Sequence, residues 1–271
     1  MKHSKWDQRI RRAEELAMTH PFASEVLLFY KHLAGLQKAI YLGVEQAHGG
    51  NHRNSTASLL GCQLDTDLLM PKFHEFLSKL EVGRSNRIAQ SAKDLNSQHP
   101  GRCRDLLTSA WGNAPDFQPA LAGTESLLAW LFLQPYAENL ADHKPHSPLR
   151  GTLVCCPFCL GKPQVGVLRQ EGDGAKRFLI CSLCSTEWAY GRIVCPACGE
   201  ETTDKLAIYT ASQFNHVRVE ACDTCGHYIK TFDLTKNGLA VPVVDELATI
   251  PLNIWAHEQG YVKLQPNLLG I

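Results

Sequence analysis

Residues 155–159 read CCPFC, 181–184 read CSLC, 195–199 read CPACG and 222–226 read CDTCG, so four Cys-x-x-Cys pairs follow one another. Two intervening residues let both thiolates of a pair face one ion, and the longer intervals suit a hairpin that returns a second pair to it. Four thiolates at tetrahedral corners suit zinc or iron. The sequence therefore predicts two bound metal ions, iron or zinc, held by Cys156, Cys159, Cys181, Cys184, Cys195, Cys198, Cys222 and Cys225.

The spacing alone leaves open which pairs share an ion. Sequential pairing gives two tandem sites, whereas alternate pairing gives a cross-brace, and the short linker 185–194 allows either. The long inserts within each set of two pairs resemble hairpins and favour tandem sites. A site with four cysteine ligands has no open position for substrate or water, so we expect structural metals and no catalytic residues. Electron transfer or redox sensing is the alternative.

The two expected sites differ in the residue that follows each pair. Gly199 and Gly226 follow the pairs of the second site, and glycine tolerates the positive φ that such a turn requires. Leu160 and Ser185 stand at the matching positions of the first site. We therefore expect more strain at the first site and place redox or exchange behaviour there. The adjacent Cys155 is expected to be a small buried residue outside the ligand set.

The N-terminal half has the pattern of a helix bundle. Apolar residues recur at intervals of three and four, and Pro21 suits the first turn of a helix. Cys62 and Cys103 are expected to pack in helices. A nucleophile elbow, a phosphate-binding loop and a dinucleotide fingerprint are absent from the sequence. The predicted helices cover residues 21–46, a segment starting near Pro71, and residues 84–96, 104–110 and 124–134.

Residues 142–151, with two prolines and two histidines, read as a linker, and the pattern beyond it changes to short strands. The strands are expected at 163–168, 177–180, 206–209, 217–220 and 228–233, with a hairpin turn at Gly172–Gly174 and a helix at 251–259. The predicted class is α+β. An all-α helical domain (1–145) precedes two small rubredoxin-like or zinc-ribbon domains (151–193 and 194–271), the second ending in the C-terminal helix and tail.

Charge and hydropathy exclude several classes of protein. The formal net charge is +0, and residues 151–271 carry ten Lys and Arg against twelve Asp and Glu. Since nucleic-acid-binding ribbons are usually basic, we expect no nucleic-acid partner. The apolar run 127–133 is too short to span a bilayer, and the charged N-terminus lacks a secretory signal. We therefore expect a cytoplasmic protein without membrane insertion.

Several motifs, in order, resemble the FdhE family of formate dehydrogenase accessory proteins. They are Leu133–Glu138 (LQPYAE), Cys156–Pro163 (CPFCLGKP), Arg177–Trp188 (RFLICSLCSTEW), Arg192 with Cys195–Gly199 (CPACG), Cys222–Cys225 with Tyr228–Lys230 (YIK), and Val244–Ile250 (VDELATI). Leu160 departs from the glycine expected after the first pair, and Asn253 departs from an expected acidic residue. The similarity covers most of the chain.

This resemblance implies a helical N-terminal domain followed by rubredoxin-like metal domains. It further implies a cytoplasmic accessory protein, not an enzyme, that is required for the maturation of active respiratory formate dehydrogenase. The implied partner is the catalytic subunit, bound before export. The alternative function is a rubredoxin-like iron redox protein that acts on the partner enzyme. The expected partner surfaces are the groove between helical domain and ribbons, and exposed aromatic residues near Trp188 and Tyr228.

Overall fold

A computed structural model of the chain describes residues 5–48, 64–81, 87–113, 123–143 and 154–267. Its helices and strands fall into a helical N-terminal part and a C-terminal part built on a sheet. The helices of the first part are α1 (Lys5–Thr19), α2 (Ser24–His48), α3 (Thr66–Glu81), α4 (Arg87–Asn96), α5 (Pro100–Gly112) and α6 (Gly123–Asp142). The second part contains β1 (Pro163–Glu171), β2 (Gly174–Cys181), β3 (Glu187–Ala189), β4 (Leu206–Thr210), β5 (Val217–Cys222), β6 (His227–Asp233), α7 (Pro242–Ala248), α8 (Ile250–Glu258) and β7 (Val262–Lys263).

The predicted helices are present, but three of them begin or end four or more residues away from the expected bounds. Helix α3 begins at Thr66, so the expected start near Pro71 is wrong, and the proline lies inside the helix. The Asp65 carboxylate accepts a hydrogen bond from the Leu68 backbone amide at 3.0 Å, which satisfies a donor of the first turn. Helix α5 begins earlier than expected, where the His99 ring accepts from the Gly101 amide. Helix α6 continues through Pro135 to Asp142, well past the predicted end.

Helix α6 is the centre of the helical core. It is buried on nearly all sides, which is typical of a helix that is apolar all round. The Phe132 ring lies 4.8 Å from the Phe73 ring and 5.6 Å from the Phe76 ring, measured between centroids. Cys103 is fully buried in α5, which confirms its expected place in a helix. The same expectation for Cys62 lies outside the described residues.

The strands form one seven-stranded sheet in the order β3-β2-β1-β6-β5-β4, with β7 beside β6. The β1–β2 hairpin turns at Gly172, whose φ is +58°, so the predicted turn is confirmed. Strands β1 and β6 pair in parallel, with Gly166 opposite Thr231. A Cβ atom on Gly166 would lie 2.3 Å from the Thr231 Oγ1, so this close approach requires glycine. The two ribbons therefore share one sheet through the β1–β6 pair.

Helix α7 connects the sheet to the helical part. Its apolar side chains, among them Val244 and Leu247, are buried in one cluster with residues of α1 and α2. The Arg12 side chain on α1 donates to Asp245 at 2.9 Å. The Lys230 ammonium on β6 lies 2.9 Å from the Glu246 carboxylate, and both residues are fully buried. Helix α8 confirms the expected C-terminal helix.

The α+β class is confirmed, with helices first and the sheet with both cysteine clusters after them. Core contacts cross the expected boundaries, since the apolar core of the helices includes the buried cysteines of the first ribbon. The division into domains at 145/151 and 193/194 stays a prediction. Among the described helices, each is too short or too polar to cross a membrane.

Candidate metal centres

The eight cysteines lie in two clusters in tandem order. Cys156, Cys159, Cys181 and Cys184 form the first cluster, and Cys195, Cys198, Cys222 and Cys225 form the second. Within each cluster the Sγ atoms all lie within 4.8 Å of one another. The cross-brace left open by the spacing is thereby excluded. Each cluster combines one pair from a turn and one from the hairpin that follows it, as tandem ribbons require.

The sulfur positions fit a tetrahedral ion. Thiolates at about 2.3 Å from zinc stand about 3.8 Å apart at tetrahedral corners. In the second cluster, the Sγ atoms of Cys195 and Cys225 are 3.8 Å apart and those of Cys198 and Cys222 are 3.7 Å apart. The first cluster is tighter, with the Cys159 and Cys181 sulfurs 3.3 Å apart. Both sets of donors could therefore hold a zinc or iron ion.

Backbone amides point at the sulfur atoms in both clusters. The amides of Phe158, Leu183 and Ala197 each lie 3.4 Å from the Sγ of the cysteine two residues earlier. The Gly161 amide makes the same contact with Cys159. Hydrogen bonds of this kind stabilise the thiolate over the thiol. The turns are thus arranged for charged sulfur ligands.

The residue after each pair adopts a positive φ. The angle is +78° at Gly199 and +70° at Gly226, and it is +59° at Leu160 and +54° at Ser185. A side chain in this left-handed region costs about 1 kcal/mol or more, and glycine avoids that cost. The expected strain at the first cluster is confirmed, because its two turns require the left-handed conformation without having glycine.

The helical part covers the first cluster. All four of its cysteines are buried, each at most 1% exposed. The Arg9 guanidinium on α1 donates to the Ser185 hydroxyl at 3.1 Å, and the Gln134 amide on α6 donates to the Ser182 carbonyl at 2.9 Å. Leu183, inside the second pair, is buried in the helical core. Access to the first cluster from solution is therefore blocked by protein.

The second cluster is open to solution on one side. Cys198 is exposed and Cys225 is half-buried, whereas Cys195 and Cys222 are buried. Glu200 braces this open side, because its carboxylate accepts from the Thr224 hydroxyl at 2.7 Å. The expectation that exchange would occur at the first cluster conflicts with this arrangement. The sequence shows strain at the turns, but exposure depends on tertiary packing that only the structure reveals.

Burial and mutual hydrogen bonding shift the thiol pKa values within the first cluster. Burial raises the pKa of Cys181 and Cys184, whereas hydrogen bonds from the Cys159, Cys181 and Cys184 side chains lower the pKa of Cys156. In the second cluster, burial raises the pKa of Cys195 and Cys225. Four neighbouring thiols therefore do not all ionise unaided. A cation is needed for four thiolates to coexist, and its binding must release protons.

The remaining cysteine, aromatic and histidine residues near the clusters lie outside the two ligand sets. Cys155 is half-buried, and burial raises the pKa of its thiol. Trp188 and Tyr228 are 8% and 3% exposed, so the expectation of exposed aromatic residues there is wrong. Each of the two side chains packs in an apolar cluster. The His227 ring contacts the Cys225 carbonyl at 3.0 Å, and His216 lies 3.7 Å from the Asp245 carboxylate.

Two buried charge clusters were missed by the sequence reasoning. Glu138 on α6 is bound by Arg9 at 2.9 Å and by Lys5 at 2.6 Å. The Glu246 carboxylate forms ion pairs with the Lys230 and Lys263 ammonium groups, and it accepts a hydrogen bond from the Asn267 side-chain amide at 2.8 Å. The signal available in the sequence was the pair of motifs YIK (228–230) and VDELATI (244–250), which contain Lys230 and Glu246 but suggest no contact between them.

The expected groove between helices and ribbons is a small cavity of about 50 Å³. Its lining combines polar side chains, such as those of Arg9, Gln134 and Glu138, with apolar ones such as those of Trp6 and Leu131. A volume of this size holds one or two water molecules. It cannot admit a segment of a partner protein in this conformation.

Comparison with known proteins places the chain in a family. Models described as "FdhE, central domain" and "FdhE, C-terminal domain" match residues 155–192 and 193–269. An FdhE homolog of Aquifex aeolicus is 38% identical over 96% of this chain and 94% of its own length. An FdhE homolog of Haemophilus influenzae is 31% identical over 95% of this chain and 85% of its own length. The crystal structure of the FdhE protein from Pseudomonas aeruginosa has a TM-score of 0.74 at 23% identity, covering 97% of this chain and 95% of that one, and thus has the same fold. This chain belongs to the FdhE family.

Proposed function

We propose that the protein is an accessory protein for the maturation of respiratory formate dehydrogenase and that it binds the catalytic subunit of that enzyme in the cytoplasm. The observation that carries the proposal is membership of the FdhE family, with 38% identity over 94% of the length of the Aquifex aeolicus relative, in a chain with two four-cysteine clusters. Because four thiolates complete the coordination of each ion, we assign the clusters a role in shaping the fold and not in a reaction.

The arrangement of the site supports a role without catalysis. Within the described ranges, the two cysteine clusters are the groups of side chains that could hold a metal ion. Four thiolates fill a tetrahedral ion, so neither site offers a position to a substrate. The buried clusters around Glu138 and Glu246 join α1, α6, β6 and α7, which gives them a structural task.

Binding and activity measurements test this proposal together. Tagged protein, prepared without oxygen, is used to capture the formate dehydrogenase catalytic subunit of the same organism from solution. We expect a stable complex, and we expect a deletion strain to lose formate dehydrogenase activity while retaining the catalytic polypeptide. Failure to bind the subunit, together with full activity in the deletion strain, would refute the proposal.

A second candidate function is favoured by the exposed edge of the second cluster. Cys198 is exposed, and electron transfer proceeds best where a redox ion lies close to the protein surface. With iron in this cluster, the protein would pass single electrons to or from the partner enzyme. Metal analysis and the visible spectrum of protein purified without oxygen decide the matter. A colourless protein with two zinc ions eliminates this function.

A further inference from the structure

The two clusters differ in how far each can be reached from solution, and this difference assigns them separate roles. The four cysteines of the first cluster are at most 1% exposed and lie within the core of the helical part. The second cluster presents Cys198 to solvent and half-buries Cys225. A ligand can displace a thiolate only where it can reach the ion. The two clusters should therefore exchange their ions at different rates even if they bind metal with equal affinity.

A groove provides a second route to the open cluster. It has a volume of about 140 Å³ and reaches the Cys195 and Cys222 side of the second cluster. Ile193 and Ile208 at this groove are 52% and 56% exposed, so the groove opens to solution. The open face at Cys198 and the groove approach the cluster through different residues. An incoming ligand therefore need not unfold the ribbon to reach the ion.

We propose that the second cluster is a metal-exchange site, at which a thiol or imidazole ligand from solution displaces the Cys198 thiolate, whereas the first cluster retains its ion. In this step a bond forms between the incoming sulfur or nitrogen atom and the ion, and the bond to the Cys198 Sγ breaks. The released thiolate takes up the proton that an incoming thiol gives up, or a proton from solvent when the ligand is an imidazole, and no electron is transferred. Thiolate and imidazole are the donors that compete best for zinc or iron held by sulfur.

Contacts to the helical part explain why the first cluster is retained. Arg9 and Gln134 hold the turn that contains Ser182 and Ser185, and a competing ligand must first break these contacts. When exchange occurs only from a locally opened form, the observed rate is the rate of that form multiplied by the fraction of molecules that are open. An opening that costs about 1.4 kcal/mol slows exchange about tenfold. We therefore expect the first cluster to release its ion at least about tenfold more slowly.

The inference depends on occupancy of both clusters by metal and is independent of any role in formate dehydrogenase maturation. The full-length protein, reconstituted without oxygen with two equivalents of zinc, is mixed with the chelating dye 4-(2-pyridylazo)resorcinol. We expect two kinetic phases of equal amplitude in the absorbance of the zinc–dye complex. N-ethylmaleimide added during the fast phase should label the peptides with Cys198 and Cys225 and leave the peptide with Cys181 and Cys184 unlabelled.

Two variants assign the phases. Cys198→Ser should remove the fast phase and leave the rate of the slow phase unchanged. Ser185→Ala should accelerate the slow phase and leave the fast phase unchanged, because it removes the contact between this turn and Arg9 while Arg9 keeps its ion pair with Glu138. Labelling of the unaltered protein decides the question even if a variant does not fold. A single rate for both ions, first labelling at Cys181 or Cys184, or uptake of fewer than two zinc ions would overturn the inference.

Discussion

Glu246→Gln is expected to destabilise the protein strongly, because Glu246 is the buried counterion of two lysines. Burial alone would raise the pKa of Glu246, but the Lys230 and Lys263 ammonium groups outweigh it and lower the pKa to about 2. Against an ordinary pKa of about 4.3, this shift corresponds to about 3 kcal/mol of stability at neutral pH. Removing one partner of a buried ion pair typically costs about 3–5 kcal/mol, so the two figures agree.

The direction of the pH dependence follows from the same shift. A carboxylate whose pKa is lowered on folding stabilises the protein fully above about pH 4.3, and this contribution is lost as the pH falls through about 2. Burial lowers the pKa of Lys230 to about 7. Because Lys230 can remain neutral above that pH, the cost of Glu246→Gln should shrink as the pH rises from 6 to 9.

Guanidinium unfolding of the zinc-saturated protein, followed by circular dichroism, measures the effect. The amide of the variant keeps the size of the side chain, so only the charge is removed. Glu258→Gln on the exposed end of α8 is the matched control, and a surface change of this kind stays within about 0.5 kcal/mol. If both variants unfold within 1 kcal/mol of the parent protein at equal zinc content, the Glu246 cluster does not have the stabilising role assigned to it.

Three further predictions concern the backbone and the core. Gly166→Ala should lower the midpoint of thermal unfolding, because its Cβ would press on the Thr231 side chain, and an unchanged midpoint would contradict the close β1–β6 approach. Leu160→Gly should stabilise the first turn by up to about 1 kcal/mol, whereas Gly199→Ala should cost a similar amount, both measured by chemical unfolding. Phe132→Ala should cost about 3–5 kcal/mol in the same assay, and a cost below 1 kcal/mol would contradict its central position.

The features that the sequence predicted well are local ones. The cysteine pairs, the turn at Gly172 and the left-handed residues after each pair all depend on a few neighbouring residues. The five predicted strands were placed correctly because each is a short β-type run between turns, whereas the two- and three-residue strands β7 and β3 were not predicted. Even the strain at Leu160 could be predicted, since glycine in the second cluster showed what the turn requires.

The features that were missed depend on contacts distant in sequence. The parallel pairing of β1 with β6 and the packing of α7 on α1 leave no mark in the local pattern. The same reason explains the error about Trp188 and Tyr228, whose aromatic side chains could equally have been exposed. The start of α3 was misplaced because Pro71 suggested a first turn, whereas Asp65 caps the helix earlier.

The position of α7 affects how the protein can fold while it is being synthesised. The apolar residues of α1 and α2 leave the ribosome first, but the cluster in which they are buried also contains residues of α7 (242–248). At about 5–20 residues per second, roughly 10–40 s separate the synthesis of α2 from that of α7. During this interval the apolar residues of α1 and α2 that α7 covers in the folded protein remain exposed. A chain that terminates before residue 242 should therefore aggregate even though all residues of the first six helices are present.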